Sequence, residues 1–186
     1  SGTNISFGSI AEFEAGNSNY IGCAYESTSG KTVISYRDIG NSNYGTAVVA
    51  TISSTSVSFG TPVVFESAQS NYVSIAPFAA AGQVAISYQD VGDSNQGKLK
   101  MGTVSGTAIS YGSEIIYATG NTQLTTTTTD TNANQIVIAY RDDANSSYGT
   151  ANVVQPAYTS TNLTAENYIG ITPSAYPDGA GAKIQT

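Results

Sequence analysis

Apolar and polar residues alternate along this chain in short runs, and the runs recur. In Gln83-Val-Ala-Ile-Ser-Tyr-Gln89 and Val57-Ser58-Phe59, the Val, Ile, Phe and Tyr residues come every second place or in brief blocks bounded by Gly, Asn and Ser. That spacing predicts β-strands, and no capped amphipathic stretch that would make a helix occurs. Four strands are expected in the middle of the chain, over 56–66, 71–79, 83–89 and 97–105, with tight turns at Ala81-Gly82 and Ser105-Gly106-Thr107. Pro62 suits a strand's start, where a missing N–H is tolerated.

The strand pattern repeats every 52 residues. Tyr36-Arg37-Asp38, Tyr88-Gln89-Asp90 and Tyr140-Arg141-Asp142 each lead into a short polar turn, and Phe13, Phe65 and Tyr117 keep the same spacing. Ser6-Phe7-Gly8, Ser58-Phe59-Gly60 and Ser110-Tyr111-Gly112 do so as well, while Asn19-Tyr20 and Asn71-Tyr72 give way to Gln123-Leu124. A fixed long period means one supersecondary unit stacked several times. The expected units are about 1–52, 53–104 and 105–155. The segment 156–186 reads as a divergent partial fourth unit or the start of a following module, because Asn167-Tyr168-Ile169 echoes Asn19-Tyr20-Ile21 out of period. Four-stranded units of about 50 residues predict an all-β, β-propeller-like fold. Another repeated all-β form, such as a β-trefoil or β-prism, is the alternative.

Composition narrows the chemistry. Six Lys and Arg against thirteen Asp and Glu give a net charge of −7, which repels nucleic acid. With no histidine the commonest general base and the commonest metal ligand are both missing. No apolar run approaches the ~20 residues that cross a bilayer, and no signal peptide opens the chain. Cys23 is the lone cysteine and, between apolar neighbours, is expected to be a small buried hydrophobe.

Three constellations carry candidate chemistry. In the Tyr-x-Asp turns, Asp38, Asp90 and Asp142, with Asn41, Asp93 and Asn145 and with Ser42, Ser94 and Ser146, are expected to lock hairpins by bonding backbone amides, glycine giving positive φ. The alternative is a calcium cage at Asp38, or at Asp90 with Asp93; otherwise no cofactor is expected. Turn tyrosines Tyr20, Tyr44, Tyr72 and Tyr148 offer flat faces for sugar rings, and Arg37 and Arg141 vary beside them. Tyr36, Tyr88 and Tyr140 end apolar runs and read as core. Paired-carboxylate glycoside hydrolysis is the only catalytic chemistry left open, and Glu12, Glu14, Glu66 and Glu114, which recur near strand ends, read as solvated edge charges instead.

The run 33–47 and the run Ser58-Phe59-Gly60-Thr61-Pro62-Val63-Val64-Phe65 resemble repeats in tail-fibre-like and surface proteins of marine phages, over about residues 1–155. The resemblance implies a place, the virion or an extracellular fibre, and no ligand residue. The expected role is a non-catalytic fibre or adhesin segment presenting loops to a glycan or cell-surface receptor. The rival is a structural subunit of a filament, appendage or virion, partnered by copies of itself, and a glycosidase-like enzyme comes third.

Overall fold

The computed structural model describes residues 5–78 and 82–155, which belong to one compact unit. They are all-β. The strands are β1 (Ser18–Glu26), β2 (Lys31–Asp38), β3 (Tyr44–Ser53), β4 (Ser56–Phe59), β5 (Val63–Phe78), β6 (Gln83–Asp90), β7 (Gln96–Ser105), β8 (Ala108–Tyr111), β9 (Ile115–Ala118), β10 (Thr122–Asp130), β11 (Gln135–Asp142) and β12 (Tyr148–Val154). Single 3-10 turns at Val91–Asp93 and Asp143–Asn145 are the helical elements among the described residues. No helix there is long and apolar enough to cross a membrane.

Every pairing is antiparallel, and the 52-residue period is visible in the registers. Thr32 faces Ala50, Val84 faces Gly102 and Ile136 faces Val154. Each unit is a meander of inner, middle and third strand (β1-β2-β3, β5-β6-β7, β10-β11-β12), followed in the first two units by short outer pieces. β4 and the start of β5 lie on β3, and β8 and β9 lie on β7. β5 therefore ends one unit through Val63–Gln69 and begins the next through Ser70–Phe78. The expected strand 56–66 is two strands, broken where Gly60-Thr61-Pro62 leaves the ladder, and the strand expected to begin at 71 begins at Val63. The same break recurs one period later at Gly112-Ser113-Glu114, between β8 and β9, so it belongs to the unit and not to the proline. The fourth unit read at 156–186 lies outside the described residues.

Two cores hold the stack. Val33, Val49, Phe65, Val73, Val84, Ile86 and Tyr88 fill the space between the first and second units, and Phe78, Leu99, Tyr117, Ile136, Ile138 and Tyr140 the space between the second and third. β6 is buried along nearly its whole length because both of its faces are covered. Side chains of this size contribute roughly 1.5–3 kcal/mol each when fully buried.

Cys23 corrects its expectation: it is exposed. Period two in β1 turns Ala24 and Glu26 inward and leaves Cys23 and Tyr25 outside, so apolar neighbours in sequence were no guide to its face. Glu26, buried, accepts the backbone amides of Thr28 and Ser29 at 2.7 Å each and closes the β1–β2 turn. Burial opposes its charge, but those bonds win and hold its carboxyl below the usual range.

Candidate functional site

The hairpin ends of the units come first. Asp38 Oδ1 accepts the Asn41 amide (3.0 Å), Asp90 Oδ1 the Gly92 amide (2.8 Å) and Asp142 Oδ1 the Ala144 amide (3.0 Å). The positive φ lies elsewhere than expected: Ser42 and Asn43, Ser94 and Asn95, and Ser146 and Ser147 take it at 54–64°. The glycine has another reason. A Cβ on Gly92 would come within 2.7 Å of the Ala68 Cβ, and one on Gly120 within 2.5 Å of the Ala144 Cβ, while Gly16 and Gly40 face each other in the first unit. The loss of glycine at Ala144 is thus matched by its gain at Gly120.

Of the carboxylates expected to be solvated, Glu12 and Glu114 are exposed and Glu14 and Glu66 half-buried, and Glu14, Glu66 and Glu114 are engaged by other side chains. Tyr36 donates to Glu14 Oε2 (3.0 Å) and Tyr88 to Glu66 Oε2 (2.9 Å). Lys98, 4% exposed, donates its ammonium to Asp90 at 2.7 Å and lies 2.9 Å from both Asp93 and Glu114. Sequence alone placed these acids at strand ends without showing that Tyr and Lys reach them from neighbouring strands. Glu66, Asp90 and Glu114 bring one oxygen each within 4.8 Å of the others, a spacing that suits a cation, and Lys98 is already among them. Burial works against the Lys98 charge, but Asp90, Asp93 and Glu114 hold its pKa above the ordinary lysine value. Asp90 and Asp93, considered for calcium, are occupied by an ammonium; Asp38 is occupied by an amide.

A row of side chains crosses the units. Tyr20, Tyr72 and Leu124 sit in bulges of the inner strands at φ 53°, 50° and 53°. One extra residue in the strand forces this left-handed geometry, which bulky residues adopt only where surroundings compel it. The Tyr20 and Tyr72 rings lie 5.2 Å apart, the Arg37 guanidinium lies 4.8 Å from the Tyr20 centroid, and Tyr72 donates to Gln123 Oε1 at 3.3 Å. Both tyrosines are half-buried and Leu124 is 61% exposed.

The variable residue of Tyr-x-Asp ties one unit to the next. Arg37 donates to Asn71, and Gln89 to Asn121 and to the Thr122 carbonyl. Arg141 instead turns back to Gln123 (2.6 Å) and Asp143 (2.7 Å) of its own unit. That guanidinium holds the Asp143 carboxyl below its ordinary range. Tyr44 opens β3 half-buried; Tyr148, its counterpart in β12, is 62% exposed.

One recurrent contact gave little sign of itself in the sequence. The ring of Phe65 lies over Gly45, 2.3 Å from where a Cβ would be, and that of Tyr117 over Gly97 at 2.4 Å. These aromatics also pack on the next unit's tyrosine, Phe65 on Tyr88 at 5.2 Å and Tyr117 on Tyr140 at 5.3 Å. The glycine column 45, 97, 149 and the aromatic column 13, 65, 117 are the sequence signal. Compared with protein-family models, curated proteins and solved structures, the chain matches none.

Proposed function

We propose that this chain is a non-catalytic segment of an extracellular or virion-surface fibre or adhesin, propeller-like in the arrangement of its units, whose inner-strand bulges bind a glycan or glycosylated receptor. The row of Tyr20, Tyr72 and Leu124 carries the reading. It joins two aromatic faces and an exposed apolar side chain on neighbouring units, set in strained backbone, with Arg37, Asn71 and Gln123 as planar polar groups beside them. Sugar recognition uses this mix of flat apolar face and in-plane hydrogen bonding. The non-catalytic part is supported by the engagement of the closest carboxylates with Lys98 and Tyr88. A glycan array probed with the full chain tests it: binding that Tyr72→Ala abolishes is expected, and an array without hits, or hits indifferent to Tyr20→Ala and Tyr72→Ala, would overturn it.

The second reading, a structural subunit that assembles with copies of itself, is favoured by one observation. β12 carries no outer strand among the described residues, and a bare strand edge pairs readily with another chain.

A further inference from the structure

Residues 5–14 form no ladder, and Ile5, Phe7 and Ile10 are 83%, 93% and 102% exposed. Yet they are seated one period ahead of 57–66. A Cβ on Gly8 would meet the Thr55 carbonyl oxygen at 1.8 Å, as one on Gly60 would meet that of Thr107 at 1.9 Å. Phe13 packs on Tyr36 at 5.2 Å as Phe65 packs on Tyr88, and Glu14 accepts from Tyr36 as Glu66 accepts from Tyr88. The segment has the inter-unit contacts of an outer strand and, among the described residues, no third strand to lie on.

β12 is its complement. Gly45 and Gly97 are covered by Phe65 and Tyr117, whereas among the described residues no atom lies within 4 Å of the Gly149 Cβ position. We propose that residues 5–14 of a second copy of this chain lie on β12, with Phe13 over Gly149, in the register that 57–66 and 109–118 take on β3 and β7. This names the partner and the contact for the self-assembly reading and rests on it. In the complete units Ala47 faces Val63 and Leu99 faces Ile115, while Thr46 faces Val64 and Lys98 faces Ile116. Carried along the 52-residue period, those pairs set Ala151 opposite Ala11 and Thr150 opposite Glu12.

The chain's own residues 161–170 are the competing occupant by period. They place Ile169 where Phe13, Phe65 and Tyr117 stand, and Thr164 where Gly8, Gly60 and Gly112 stand. A second copy's segment has the aromatic that both complete units lay over their glycine. The contact is head-to-tail, so it closes a ring if the rotation between copies permits and otherwise continues as a filament.

Disulfide trapping in the full chain tests this, with the exposed Cys23 replaced by Ser. Directly opposed residues hold their Cβ atoms about 4.5–5.5 Å apart, close enough for a disulfide to form with slight adjustment. Mixing an Ala11→Cys chain with an Ala151→Cys chain under mild oxidation is expected to give a mixed dimer, with neither chain alone doing so at the same yield. Gly149→Val is expected to abolish the mixed dimer while leaving the thermal midpoint of the dilute protein unchanged, because among the described residues nothing lies within 4 Å of its Cβ position. A chain carrying both cysteines that links only within itself would overturn the proposal in favour of self-closure. An assembled protein that yields no mixed dimer would overturn this contact and leave the assembly reading standing. Monomers at every concentration, by light scattering, would end both.

Discussion

The second and third units share a period and a meander, yet they are not equally finished. β7 is buried along most of its length and β12 alternates between exposed and half-buried. In the second unit Gly97 lies under an aromatic ring, Lys98 is buried among carboxylates and Tyr88 donates to Glu66. In the third the corresponding places are an open Gly149, a half-buried Thr150, and Ala118 where a glutamate would meet Tyr140. The contrast teaches which residues serve the strand and which serve its neighbour. Among the described residues the third meander has no outer strand, and the covered glycine and the charged cluster are found where an outer strand lies on the unit.

Lys98 should show the largest effect. Replacing it by Met leaves buried Asp90 without its counter-charge, with Asp93 and Glu114 nearby, and removing one partner of a buried ion pair costs about 3–5 kcal/mol. Urea unfolding measures it. A loss below about 1 kcal/mol would mean that water reaches the cluster freely. Thr150→Lys in the third unit, where β12 carries no outer strand among the described residues, is expected to change stability by less than about 0.5 kcal/mol.

The glycine column comes next. Gly97→Val would drive its Cβ to 2.4 Å from the Tyr117 ring, an overpacking that costs about 1–3 kcal/mol. Gly149→Val in dilute protein should cost under about 0.5 kcal/mol. Equal losses at the two sites would show that Gly149 is already covered. A smaller effect tests the hairpin pair: Gly120→Ala is expected to destabilise by about 1 kcal/mol against Ala144, and adding Ala144→Gly should restore most of it. Simple additivity in that double-mutant cycle would break the claim that the two positions exchanged their glycine.

How much of this the sequence held depends on the range of the interaction. The period, the strands and the hairpin aspartates were legible, because alternation and turn chemistry act over a few residues, and Asp38, Asp90 and Asp142 each bond an amide two or three places on. Cys23 was misjudged because the alternation of β1 sets it on the face opposite Ala24 and Glu26, which apolar neighbours in sequence do not reveal. The solvated reading of Glu14 and Glu66 failed for a related reason, while Glu114 is exposed as read and yet also pairs with Lys98. Their partners Tyr36, Tyr88 and Lys98 lie on other strands, and only the stacking of units brings the groups together. Arg37 and Gln89 looked like variable recognition residues, yet each reaches across to the next unit.

The finest distinction between the units is in their buried tyrosines. Burial first, and then the Glu66 carboxylate beside it, pushes the Tyr88 hydroxyl far above the ordinary tyrosine value of 10.0. Tyr140 is raised as well, by burial and then Asp142, but with Ala118 in place of a glutamate it lacks the second push. Tyr117, between them, is pushed up to about 12 by burial. A hydroxyl whose folded pKa exceeds its unfolded value favours the fold fully below about pH 10, and that contribution is lost as pH rises through the folded value. Phenolate absorbance during an alkaline titration should therefore show Tyr140 ionising before Tyr88, read by the step that Tyr140→Phe or Tyr88→Phe removes. Glu66→Gln should move the Tyr88 step earlier and leave the Tyr140 step in place. If Tyr88 ionises first, or both move together, the units do not differ in the way their packing implies.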